Sequence, residues 1–186
     1  MNYDHLHTLA DAIRRAIAPD DPAAARYADA AHRVLTGAPT VHARPTKWIN
    51  TLHRYEHFWE ERNRAPRENT RARHTLTADE RHLGEWARYQ RRYEEQLNAY
   101  QRARLEVSPA FEWDPRAANW QRNLTACHLH RLRTGDLPRL NRDDSTEFAL
   151  ARWLGRQLLR LQYSQLHPDR ARRLEGLLDP RRRPTY

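Results

Sequence analysis

Arginine is the residue type through which this chain could do most of its chemistry. Lys and Arg number 33 against 24 Asp and Glu, for a formal charge of +9 and a pI near 10.4. Lys47 is the only lysine. The charge balance favours an anionic partner, whether nucleic acid, an anionic membrane surface or an acidic protein, while the arginine bias by itself is no sign of selection for bidentate phosphate contacts. The candidates are Arg172 and Arg173 in "QLHPDRARRLE", Arg102 and Arg104 in "QLNAYQRARLE", and Arg181, Arg182 and Arg183 in the terminal "RRRPTY". Arg170, four residues from both Leu166 and Leu174, is expected to run along the core edge or to pair with an acid instead.

The charge is uneven. Residues 1–40 hold four Arg and five acids, residues 41–115 fourteen bases and twelve acids, and residues 116–186 fifteen bases and seven acids. The last segment should therefore supply most of any phosphate affinity, and that affinity should fall steeply with salt. The Arg181–Arg183 tail reads as an arm able to enter a minor groove.

Other chemistries find little support. His53 and His57, four apart, have a spacing able to hold a metal ion, but no third ligand accompanies them; Cys127, His128 and His130 form a looser cluster. No metal site or cofactor is expected. Neither a nucleophile with its base, nor paired carboxylates, nor a Gly-rich phosphate loop ending in Lys-Ser/Thr stands out, so an enzyme is not expected. Cys127 is alone, which excludes an intrachain disulfide. A signal-peptide apolar region and any run of about 18 apolar residues are both missing, so a cytoplasmic protein with no membrane partner is expected.

The elements that must position these arginines are helices. Ala, Leu, Arg, Glu and Gln dominate, Gly is scarce at 5 residues, and long Val/Ile runs are lacking. The predicted class is all-α. Residues 1–40 read as a helical hairpin: Leu6, Leu9, Ile13 and Ile17 share one face, Asp21-Pro22 starts the second helix, and Gly37 ends it. Its surface could serve self-association or a protein partner.

After the hairpin the same landmarks occur twice. Trp48, Leu52, Tyr55 and Trp59 recur at helical spacing, and Trp120 with Leu124 repeats that opening. Thr77 with Glu80 predicts a capping box, in which each side chain satisfies the other residue's backbone N–H; Asn98 with Gln101 and Asp144 with Glu147 repeat the logic. Leu83, Trp86 and Gln90 parallel Leu150, Trp153 and Gln157. The offset is 72 positions at the first Trp, 67 at the second and 69 at the Arg-Leu-Glu of each last helix. Several landmarks in the same order argue for one three-helix unit used twice, over 46–115 and 116–180, with 181–186 as a basic tail. Trp48, Trp86, Trp120 and Trp153 lie on apolar stripes, so core packing is expected of them rather than base stacking. Gln90 and Gln157 share those faces and should satisfy a backbone group or an indole N–H.

These landmarks resemble the helicase-associated domain, a three-helix repeat often found in tandem. The first copy matches at Trp48, Leu52, Tyr55, Leu83, Gly84, Trp86, Gln90, Arg91, Tyr93, Leu97, Leu105 and Trp113. The second is degenerate: it keeps Trp120, Leu124, Trp153, Gln157, Leu166, Arg170 and Leu174 but has Ala151 for the Gly and Leu158 for the Arg. No helicase motor accompanies them. The resemblance implies Myb-like bundles that bind nucleic acid, expected to be double-stranded DNA, with the last helix of each bundle at a major groove, in a regulator or accessory factor. The alternative is a protein-interaction adaptor whose arginines dock an acidic partner.

Overall fold

The computed structural model describes residues 2–68 and 73–179. Among these the chain is all-helical, with eight α-helices and no strand: α1 (Tyr3–Ile17), α2 (Pro22–Thr36), α3 (Ala43–Arg62), α4 (Ala78–Arg92), α5 (Ala99–Glu106), α6 (Pro115–Thr134), α7 (Ser145–Gln162) and α8 (Pro168–Leu178). None of them is long and apolar enough to cross a membrane. The chain divides into two compact units, 1–113 and 114–186.

In the first unit the N-terminal hairpin packs on the helices that follow it. α1 lies against α5, and α2 against α3 and α5. Ala10, Ala24, Tyr27 and Ala31 join Trp48, Leu52, Tyr55, Leu83, Tyr100 and Leu105 in one buried cluster. Small residues on α1 and α2 let the backbones approach closely. This changes the expected face of α1: Ala10, His7 and Arg14 are buried, whereas Leu9 is 42% and Ile17 64% exposed. The reason is a polar contact that apolar periodicity does not register, His7 Nδ1 to the Tyr100 hydroxyl at 2.9 Å.

Asp21 caps α2 through the backbone N–H groups of Ala23 and Ala24, with Pro22 in the first turn. Gly37 ends α2 at φ 69°, a left-handed conformation that costs glycine little. In the second unit α6, α7 and α8 enclose a smaller core of Trp120, Leu124, Cys127, Trp153, Leu154, Leu174 and Leu177.

The indole–amide expectation is met in both units. Trp48 Nε1–H donates to Gln90 Oε1 at 2.9 Å, and Trp120 Nε1–H donates to Gln157 Oε1 at 3.1 Å. In each unit the two Trp rings also meet, Trp48 with Trp86 and Trp120 with Trp153, both with centroids 6.0 Å apart.

The capping boxes are met in part. Asn98 and Gln101 form the full reciprocal pair. Thr77 caps Glu80, but the Glu80 carboxylate turns away and accepts from Arg67 N–H at 2.9 Å and from Arg64 Nη1 at 2.7 Å. Asp144 caps α7 similarly, and the Glu147 carboxylate accepts from Arg139 N–H at 3.0 Å. Both glutamates, 67 positions apart, pin the connector ahead of their helix rather than closing a box. The pinning brings chain onto α4 so closely that a Cβ added to Gly84 would stand 2.6 Å from the Arg67 carbonyl oxygen.

Candidate nucleic-acid interface

The structure sorts the predicted arginines by whether a carboxylate already holds them. Arg104 is corrected outright. It is 1% exposed and donates through both Nη atoms to Glu56, at 2.7 and 2.8 Å, while Ser108 Oγ donates to the same carboxylate at 2.6 Å. Such an arginine holds α5 to α3 and is out of reach of a phosphate. Arg102 is exposed but pairs with Glu94 at 2.5 Å. Arg172 is exposed and pairs with Asp169. Exposed pairs of this kind are weak, about 0.2–1 kcal/mol, so a phosphate can displace them.

Arg173 and Arg170 both lean on the Trp120 ring, their guanidinium carbons 5.6 and 5.3 Å from its centroid. Arg170 thus runs along the core edge as expected, and Arg173 stays exposed while resting on an aromatic face. Arg181, Arg182 and Arg183 lie outside the described residues.

The expected sites omit a stronger cationic feature. Arg152, Arg156 and Arg160 recur every four residues along α7, and all three are exposed. Among the described residues none of them pairs with a carboxylate. From Phe148 to Pro168 the sequence contains no acid at all. Arg152 rests over the Phe148 ring at 5.9 Å, and exposed Leu159 and Tyr163 flank the C-terminal end. Like charges at i,i+4 destabilise a helix by about 0.2–0.5 kcal/mol per pair, so folding alone does not favour this stripe. The four-residue spacing is visible in the sequence, but the expectation falls on the last helix of each unit.

The same helix face in the first unit has different chemistry. In the register set by Trp86–Trp153 and Gln90–Gln157, the positions of Arg152, Arg156 and Arg160 are taken by Glu85, Tyr89 and Tyr93. Glu85 pairs with Arg73 at 2.5 Å, and the two Tyr rings meet with centroids 4.5 Å apart, tilted by 47°. The tyrosines border a cavity of about 310 Å³ that reaches Trp48, Trp86 and Tyr27.

The histidines do not assemble into a site. His53 stacks on Tyr3 at 4.7 Å, and His57 faces Glu61 at 3.3 Å. Burial pushes the His53 imidazole down to about 4, helped by Arg104 and His7. Among the described residues no three His, Cys, Asp or Glu come together as metal ligands. Cys127 is fully buried, and burial pushes its thiol up to about 11.

Comparison of the chain with family models, curated proteins and solved structures gives no match.

Proposed function

We propose that this chain is a non-enzymatic DNA-binding protein, a regulator or accessory factor that holds double-stranded DNA through tandem three-helix modules preceded by a helical hairpin, of the kind seen in helicase-associated domains. The observation that supports it is α7, which carries no acid beyond its first turn and has Arg152, Arg156 and Arg160 exposed along one face. A helix bearing three exposed guanidinium groups at about one-turn spacing suits the phosphates lining a groove, and each phosphate neutralised there releases condensed counterions. Arg173, exposed and not paired with a carboxylate among the described residues, adds to the cationic surface of the same unit. The buried Arg104 contributes nothing, whereas exposed Arg102 and Arg172 can add to binding by exchanging their carboxylates for phosphate.

The test is duplex binding by fluorescence anisotropy across a salt series. The wild-type chain is expected to bind with an affinity that falls steeply with salt. The Arg152→Ala/Arg156→Ala/Arg160→Ala variant should bind more weakly and with a shallower slope, by about 0.9 for each phosphate it no longer neutralises. Unchanged binding by that variant overturns the role of α7. No duplex binding by the wild-type chain even at low salt overturns the reading as a whole and favours an acidic protein partner.

A further inference from the structure

We infer that the aromatic cavity of the first unit is a binding site for one unstacked nucleotide of a single-stranded nucleic acid. The inference rests on the reading of the chain as a nucleic-acid binder but uses a different unit and different residues.

The cavity has the composition of a base-stacking site. Tyr89, 55% exposed, and half-buried Tyr93 and Trp86 line it together with buried Trp48 and Tyr27. Its volume of about 310 Å³ lies at the lower end for small-ligand sites, which suits a flat ring with its sugar. Gln90 and Gln101 also line the wall, but their amide oxygens are already held by the Trp48 and Asn98 N–H groups, so the rings rather than these amides would hold a base. Arg44 and Lys47 stand exposed at the rim.

A second cavity of about 530 Å³ adjoins the first, sharing Tyr27, Arg44, Gln96 and Gln101 with it, and adds Arg26 and His42. No residue lining either cavity is Asp or Glu. The charged residues that line them, Arg26, Arg44 and Lys47, are all cationic. Among the described residues Arg26, Arg44 and Lys47 make no ion pair with a carboxylate. An aromatic cleft that opens into an acid-free basic trough fits a base on the rings and its phosphates along Arg44, Lys47 and Arg26. Ring faces of this kind tolerate any base, since stacking rather than hydrogen-bond readout supplies the affinity. A duplex does not fit, because its bases are stacked on one another; an acidic peptide would use the cations but leave the ring faces without a planar partner.

The experiment measures anisotropy of a labelled short single-stranded oligothymidylate, a labelled DNA hairpin duplex and a labelled oligoglutamate peptide with the full chain. Tyr89→Ala is expected to weaken oligothymidylate binding roughly five- to hundredfold, the range found for removing one stacking ring. Tyr89→Phe, which keeps the ring, should bind like wild type, and Lys47→Ala should weaken binding and its salt dependence. Duplex binding should be unchanged in all three. Tyr89 is largely exposed, so its removal leaves the core intact, which unchanged thermal melting would verify. If Tyr89→Ala and Lys47→Ala bind oligothymidylate as wild type does, the inference is overturned, whatever the duplex measurements give. If these variants lose binding to oligoglutamate and not to oligothymidylate, the cavity is a peptide site and the inference is likewise overturned. Failure of duplex binding in the α7 variant experiment touches only the earlier proposal.

Discussion

Arg104 and Glu56 form a bidentate ion pair with both side chains withdrawn from water, 1% and 0% exposed, where α5 meets α3. Ser108 completes the hydrogen bonding of the carboxylate. Removing one member of such a pair leaves a buried charge without compensation and typically costs about 3–5 kcal/mol. Glu56→Ala should therefore destabilise the first unit by that order, seen as a lower urea midpoint of its transition. Replacing both residues by apolar ones of similar size should recover much of the loss. If Glu56→Ala melts like wild type, the pair does not hold α5 in place.

The second unit lacks this carboxylate. Counted from the two opening Trp residues, the position of Glu56 is taken by His128; aligned on the shared Arg-Leu-Glu, that of Arg104 is taken by Arg173. Arg173 lowers the pKa of the His128 imidazole, behind burial and Arg131, so the two side chains are near enough to repel when both are charged. Without an acid to draw it inward, Arg173 lies out on Trp120. His128→Glu should pull Arg173 off the ring and into an ion pair. The expected result is a modest gain in stability with weaker duplex binding. A variant that binds duplex as tightly as wild type would show that Arg173 does not touch it.

The two Trp–Gln bonds predict a common response. Gln157→Leu leaves the Trp120 N–H buried and unpaired, at a cost of about 1–3 kcal/mol, and Gln90→Leu should do the same to Trp48. Trp153→Ala removes a ring from the smaller core and should cost about 3–5 kcal/mol. Cys127 offers a local readout. Its buried thiol, pushed up to about 11, reacts with thiol reagents only when the second unit opens. Labelling should accelerate in Trp153→Ala and Gln157→Leu and stay slow in Gln90→Leu.

Acidification should loosen the first unit. His53 is held at about 4 and His7 is also lowered, in both cases chiefly by burial, against an ordinary value of 6.5. Between about 6.5 and 4 the unfolded chain therefore binds protons that the folded chain refuses. Stability is full above this window and falls as pH drops through it, by up to about 1.4 kcal/mol per pH unit for each proton. Thermal melting from about pH 7 to about pH 4.5 should show the fall, and His53→Gln should flatten it. An unaltered slope in that variant would remove His53 as the cause.

Much of the fold is legible in the sequence because it follows from local chemistry. Asp21-Pro22, Gly37, Asn98 with Gln101 and the Trp stripes each act within a few residues of themselves, and each is found where periodicity and capping rules place it. The errors are all tertiary. The buried face of α1 is set by Tyr100, 93 residues from His7. The Glu80 and Glu147 carboxylates are captured by connectors whose path no local rule gives. Arg104 looks in sequence like any other arginine of a basic helix, and only its partner 48 residues away reveals it as a core residue. The α7 stripe is the converse case: its spacing is open to view, but only the structure shows that, among the described residues, no carboxylate pairs with Arg152, Arg156 or Arg160.

The indole–amide bond that recurs in both halves fastens the inner side of the helix that carries the Gln. The outer side of that helix differs between the halves, with guanidinium groups in one and phenol rings in the other. Exchanging Glu85→Arg and Tyr89→Arg would give the first half a cationic ridge resembling that of α7, at the cost of the Glu85–Arg73 pair and the Tyr89–Tyr93 contact but with the Trp48–Gln90 bond beneath it kept.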